Sequence, residues 1–501
     1  RLAAQGLPSE VGGRRSVPTA PGELGRRLAA ALDSAGPIPE AFGTYLGCRP
    51  DLIAGLDCAE LAALPEHASC APPEQVVALV EHELAAPITE RFALFEAEPF
   101  DSRRFAQIHG ARRIDGATVW VKVVRPDAVA GLEDELGALD ALEPTLAAGG
   151  VPFPEAREGF ERALLRQLDL AGEGRQLTAL AAGPAEGVAV AVPLPDLSRG
   201  RVLGLCAVGG DEMAPVRAEP GVARRLWALW LRLLLDGPAA PMELAAPDLR
   251  QLRDGRLLVL STGWLAAPED LRHHLQAWLF AAARWDPDEV AARLVPELAV
   301  PPGSGAALLA ARLRQATAFR EGGWGEGGEA LDEQVFLHLR VARNLGFAPS
   351  PRLADVVPGL VRVASLARRL DPAADGLRQA IEERELSQRA REMSDLLRWE
   401  RLGANLESHA MLLAALPERM DQLLTRAAAE RPAPAVPPLA SVETAAAGGS
   451  TVAVAAMVGL GALVLLAERL TAAGLEWVEA PATLLAVALG AVVLRGLLGR
   501  R

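Results

Sequence analysis

Lysine is nearly absent from this chain. Of 51 Lys and Arg residues, 50 are arginine and one is Lys122. An excess of positive charge is absent too. Sixty-four Asp and Glu leave a net charge of -13 and a pI of 5.2. That balance argues against nucleic acid as a main partner, because phosphate binding needs a basic face. Cysteine is scarce. Cys48, Cys58, Cys70 and Cys206 are too scattered for a disulfide framework, and none stands in the CxxC pair of a zinc site. Such usage fits a reducing cytosolic setting for the main body. Ser34 and Ser261 lack the flanking glycine of a nucleophile elbow. His67, His82, His338 and His409 are not spaced as metal ligands, and the adjacent His273 and His274 do not share a helix face. No repeat of fixed period is present.

What is there falls into blocks. At 501 residues the chain is long enough for two or three domains. Residues 1–22, rich in Gly, Ser, Pro and Arg, read as a flexible tail. Residues 23–98 read as a helical extension: Leu24–Leu32, Ile38–Leu46, Ala59–Leu64, Glu74–Leu84 and Ile88–Glu96, punctuated by prolines. Residues 99–208 carry strand signals at Phe105–Ala111 and Thr118–Val124, joined at Asp115-Gly116, and again at Val188–Val192 and Arg201–Leu205. Residues 209–430 are mostly amphipathic helix, with a strand pair around Leu249–Leu252 and Arg256–Leu260. Residues 431–449 are a Pro-rich linker. Residues 450–498 read as a transmembrane hairpin. The uncharged run Ala445–Ala467 has 23 residues, and a helix of that length spans ~35 Å, enough for a bilayer core. A second apolar stretch covers Ala480–Leu494, with Trp477 in the turn and Arg495, Arg500 and Arg501 at the end. The positive-inside rule sets both ends on the cytoplasmic side.

The single lysine sits in an apolar strand, Val119-Trp120-Val121-Lys122-Val123-Val124-Arg125-Pro126. This resembles the kinase strand whose lysine holds nucleotide phosphates and pairs with a helical Glu. Other stretches fall in a matching order. They are Gly36-Pro37, Ala41-Phe42-Gly43-Thr44, Arg49-Pro50-Asp51-Leu52, Pro72-Pro73, Glu81-His82-Glu83-Leu84, Phe105-Ala106-Gln107-Ile108-His109, Gln167-Leu168-Asp169-Leu170-Ala171-Gly172-Glu173 and Leu370-Asp371-Pro372. Together they resemble the UbiB (AarF-type) family of atypical kinase-like proteins over roughly residues 25–380. The resemblance implies an α+β, protein-kinase-like two-lobed fold with an N-terminal helical extension and a C-terminal transmembrane hairpin. It makes Lys122, Glu173, Asp169 and Gln107 the cofactor-binding candidates, with Glu173 the partner of Lys122. ATP or ADP is the implied ligand.

The departures bear on activity. Where the family has K-x-G-Q, positions 41 and 44 are Ala and Thr. The Ala-rich phosphate loop aligns with Asp101-Ser102-Arg103-Arg104, and the first Glu of E-x-D is Gln167. The catalytic stretch should follow Asp236-Gly237. Instead comes Pro238-Ala239-Ala240-Pro241-Met242-Glu243-Leu244, with no catalytic Asp and no metal-binding Asn. The strand Leu257–Leu260 ends in Ser261-Thr262-Gly263 rather than D-F-G. Phosphoryl transfer needs carboxylates to hold Mg²⁺ and orient the nucleophile, and a neutral serine is a poor Mg²⁺ ligand. The expectation is a pseudokinase with no catalytic or metal-ligating residue and at most weak nucleotide binding. By resemblance it handles a quinone or isoprenoid precursor at the bacterial inner membrane beside proteins of that pathway, with a cytoplasmic body. The alternatives are an active kinase or ATPase with relocated carboxylates, Glu243 or Asp248, and a helical scaffold that binds no nucleotide.

Overall fold

The computed structural model describes residues 22–396, apart from 34, 54, 65–69, 183–186, 209–212, 261 and 319–329. The expected tail up to residue 21, residues 397–430 of the expected larger lobe, the linker and the hairpin lie outside the described residues, as does Ser261. Among the described residues no helix is long and apolar enough to cross a membrane.

The extension begins with helices Glu23–Leu32, Pro37–Gly47 and Gly55–Ala62. Their apolar faces meet those of the helix Phe153–Leu168, and Leu28, Leu32, Phe42, Leu46 and Phe160 form one core. Gly36 starts the second helix because of its backbone. Its φ is 131°, and a Cβ there would come 2.7 Å from Glu135 Oε2. Only glycine adopts that conformation readily. It lets the Glu135 carboxylate accept the Ile38 amide at 3.0 Å.

The strands follow in chain order: β1 (Phe92–Phe95), β2 (Asp101–Ser102), β3 (Ala106–Arg113), β4 (Thr118–Val124), β5 (Val188–Ala189) and β6 (Val202–Cys206). Sequence periodicity extended a helix to Glu96, but the chain turns into β1 after Arg91. The order β1-β3-β4-β6 makes an antiparallel sheet, with β2 also on β3. Side chains alternate between its faces. Val119, Val121 and Val123 pack under the helix Pro73–Leu84, while Trp120 and Val124 face the main core.

The second half adds β7 (Ala214–Pro215), β8 (Ala240–Glu243), β9 (Leu249–Gln251), β10 (Leu257–Val259) and β11 (Thr262–Leu265). The order β5-β10-β9-β7 forms a second sheet, and β8 pairs with β11. Helices Val222–Leu235, Glu269–Ala283, Leu331–Asn344, Pro351–Leu370 and Gly376–Leu396 complete the larger lobe around Trp227, Trp230 and Trp278.

The extension is pinned to that lobe by a buried guanidinium. Arg49 is fully enclosed and donates to both oxygens of Asp51 at 2.8 and 2.7 Å and to the Tyr45 hydroxyl. Arg343, from the helix Leu331–Asn344, donates to the Asp51 carbonyl at 3.2 Å and to Glu155 at 3.0 and 2.5 Å. Gly159 leaves room for this cluster, since a Cβ at that position would strike the Tyr45 hydroxyl. Breaking a buried pair from one side leaves an uncompensated charge. Asp51→Ala is therefore expected to cost about 3–5 kcal/mol, read from urea unfolding. A loss of under about 1 kcal/mol, the range of an exposed pair, would contradict this role.

His338 is buried against Trp278, whose Nε1 donates to its Nδ1 at 3.3 Å. Burial pushes its pKa down to about 3. A depressed folded-state pKa means that the unfolded chain binds the proton more tightly. The stability His338 contributes is then present above about pH 6.5 and is lost as pH falls toward 3. Wild type should lose about 1.4 kcal/mol per pH unit more than His338→Gln in this window. Urea titrations at pH 7 and pH 5 check this, and parallel pH slopes would contradict it.

Candidate functional site: the cleft around Lys122

β4 carries Lys122 into the main core as its only charged residue. The strand is short, apolar and β-branched, and alternation sends the lysine to the same face as Trp120 and Val124. The helix Leu170–Ala182 crosses behind it and presents Glu173. Lys122 Nζ donates to Glu173 Oε1 at 2.6 Å, and both side chains are at most 5% exposed. Nζ also lies 3.4 Å from the Leu260 carbonyl, next to the position expected to hold a D-F-G aspartate. Burial pushes the Glu173 carboxyl up, against the pull of Lys122.

The other two candidates stand elsewhere. Asp169 is the joint between two helices. It is half-exposed, its Oδ1 accepts the Gly172 amide at 2.7 Å, and Arg175 lies 3.5 Å from Oδ2. It lies one helical turn from Glu173, whose amide donates to the Asp169 carbonyl at 3.0 Å. Gln107 is opposite Val123 in the β3–β4 ladder, one place out of step with Lys122. It therefore projects to the other face of the sheet. There its Oε1 accepts the Ala71 amide at 3.0 Å and its Nε2 meets His109 Nε2 at 2.8 Å. The period-two geometry of the strand separates Gln107, a cofactor-binding candidate, from Lys122. Gln107 ties the extension to the back of the sheet.

The expected catalytic segment is a strand. Residues 240–243 form β8 and pair with β11, Thr262 opposite Glu243 and Trp264 opposite Pro241. Met242 stands where the catalytic Asp was expected. It is buried, and its sulfur lies so near Gly359 that an added Cβ would come within 2.7 Å. Trp230 closes the same space and donates from Nε1 to the Pro241 carbonyl at 2.9 Å. The sequence reading missed this ladder, because Ala-Pro-Met-Glu has no alternating pattern.

Carboxylates that could have been relocated are committed to arginines. Arg362 Nη2 meets Glu243 Oε2 at 2.5 Å. Asp248 Oδ2 accepts the Ala245 amide at 2.5 Å, and its Oδ1 lies 3.4 Å from Arg103 Nη2. These donor sets do not fit Mg²⁺, which asks for several hard oxygens in near-octahedral array. Among the described residues no group of three His, Cys, Asp or Glu is arranged to hold a metal. His274 bonds the buried Glu297 at 2.6 Å, alongside Arg352 and Ser350.

Comparison with known proteins agrees with this layout. A family model described as the ABC1 atypical kinase-like domain matches residues 63–219. The match takes in the sheet, Lys122 and Glu173, and ends before β8. A "Probable protein kinase UbiB" of Pseudomonas putida is 43% identical over 114 residues, 22% of this chain and 21% of that protein. One from Pseudomonas aeruginosa is 34% identical over 161 residues, 31% of this chain and 30% of that protein. The alignments thus span about a fifth to a third of these relatives' length. A solved structure, the Rv3197–erythromycin complex of Mycobacterium tuberculosis, aligns over 64% of this chain and 86% of its own, at 15% identity and a TM-score of 0.37. The kinase-like assignment rests on the domain match and the curated relatives. Over residues 63–219, which carry the Lys122–Glu173 pair, this chain matches the ABC1 atypical kinase-like domain and is similar to proteins named UbiB.

Proposed function

We propose that the chain is a UbiB-type pseudokinase that binds a nucleotide weakly through Lys122 and does not transfer phosphate. One observation carries the reading. Met242, at the expected catalytic position, is buried in the β8–β11 ladder against Trp230 and Gly359. An apolar side chain with no route to solvent cannot orient a nucleophile. Removing base and metal together takes away most of the electrostatic stabilisation on which phosphoryl transfer depends. Lys122 and Glu173 keep the geometry of a kinase pair, which supports nucleotide binding. Attraction between an ammonium and a phosphate needs no metal.

The names of the relatives support a place in ubiquinone biosynthesis. In our reading the ligand side of that work is an isoprenoid or quinone precursor, met at the bacterial inner membrane. Residues 450–498 are the anchor, and the body is cytoplasmic.

Purified full-length protein, with lipid and Mg²⁺ or Mn²⁺, is expected to consume no ATP above a no-enzyme blank. ADP binding measured by calorimetry should vanish in Lys122→Ala. Turnover that disappears in Lys122→Ala and in Glu243→Ala would overturn the pseudokinase reading and make Glu243 the relocated base. For the anchor, the expected outcome is that wild type sediments with membranes and a chain truncated after residue 444 does not. Equal partitioning of the two would remove the anchor from the proposal.

A further inference from the structure

The strand register sets Asp101, Ile108, Lys122 and Leu203 in one row across the sheet. Asp101 therefore shares the cleft face with Lys122, two strands away, which is about 10 Å. Four charged residues close the cleft at that edge. Arg103, in the turn between β2 and β3, donates to both oxygens of Asp101 at 3.1 Å. Its Nη2 reaches across to Asp248 Oδ1 at 3.4 Å. Arg250, on β9, reaches back, its Nη2 3.5 Å from Asp101 Oδ1. All four side chains are less than one-fifth exposed.

The distances have a pattern. Contacts within each side are bonded: Asp101 with Arg103, and Asp248 with the Ala245 amide. The contacts across the cleft, 3.4 and 3.5 Å, are longer than the 2.7–2.9 Å of a strong charge-assisted bond. They are also longer than the 3.1 Å bonds between Arg103 and Asp101. Both cations are arginines, whose planar fork suits phosphate oxygens. They stand on the turn aligned with the family's phosphate loop and on the strand after the lost catalytic segment. Among the described residues no group of three His, Cys, Asp or Glu is arranged to hold a divalent metal.

We propose that Arg103 and Arg250 form a phosphate site at the mouth of this cleft that takes an oligophosphate anion without a divalent metal. The anion exchanges with the Asp248 and Asp101 carboxylates, and the exchange opens the way to Lys122. This rests on the nucleotide-binding reading above and extends it. Two guanidiniums supply the positive charge that Mg²⁺ supplies in an active kinase.

The test uses full-length protein in EDTA, with inorganic tripolyphosphate and ADP as probes in calorimetry. Both should bind as tightly in EDTA as in Mg²⁺. Arg103→Ala should weaken binding about tenfold. Asp248→Asn keeps the Ala245 hydrogen bond but removes the competing charge, so it should tighten binding about tenfold. Opposite signs in the two variants cannot come from misfolding. A second readout follows from the composition. Lys122 is the only lysine, so acylation of the peptide that carries it reports opening of the cleft, and Asp248→Asn should be acylated several-fold faster than wild type. A requirement for Mg²⁺, or an Asp248→Asn that binds and labels like wild type, overturns the proposal. Tripolyphosphate bound without ADP keeps this site and removes the nucleotide reading. ADP binding lost in Lys122→Ala but indifferent to Arg103→Ala and Asp248→Asn keeps that reading and overturns this site. No binding of either probe by any of these proteins overturns both.

Discussion

One ammonium group organises the smaller half of this protein. Lys122 is enclosed among apolar side chains and held by the Glu173 carboxylate at 2.6 Å. Removing either charge from water costs several kcal/mol, and the cost is offset only by close geometry and further hydrogen bonds. The Leu260 carbonyl supplies one more acceptor. The pair therefore does more than join β4 to the helix Leu170–Ala182. It also fixes where the strand leaving β10 must pass, so sheet, helix and the start of the larger lobe share one reference point. Lysine suits this place because a compact point charge fits where a planar fork would not.

Arginine does the remaining long-range fastening. Arg49 and Arg343 lock the extension to the larger lobe through Asp51 and Glu155. Arg162 and Arg166, on the helix Phe153–Leu168, both hold Asp355 on the helix Pro351–Leu370. Arg362 holds Glu243, and Arg103 with Arg250 spans the cleft. Apart from the local Arg49–Asp51 pair, each of these forks serves a carboxylate from a distant part of the chain. Of these, the fully enclosed Arg49–Asp51 pair matters most to stability, because neither partner can turn to water when the other is lost.

The same fastening occupies the segment in which catalytic residues were expected. The residues expected to handle phosphate and metal have been absorbed into structure. Met242 packs, Glu243 neutralises Arg362, and Asp248 holds its own turn. The segment Ala240–Glu243 is paired with β11. The Lys122–Glu173 pair is made without that segment: its one further acceptor is the Leu260 carbonyl, just after β10.

The sequence by itself determined a good deal. The apolar strand around Lys122, the Asp115-Gly116 turn and the helix carrying Glu173 are written in periodicity and turn chemistry, and the family resemblance implied that Lys122 and Glu173 pair. The loss of catalytic carboxylates was also legible, being a matter of residue type. Three things were left to tertiary structure. Gln107 and Lys122 both lie in the expected strands, and only the register of β3 on β4 puts them on opposite faces. The β8–β11 ladder depends on partners that are distant in sequence and weak in local pattern, so no window on the chain reveals it. The cross-cleft contacts of Arg103 and Arg250 join residues some 150 positions apart. Local propensity records what a segment can form alone; which arginine meets which carboxylate is decided when the lobes pack.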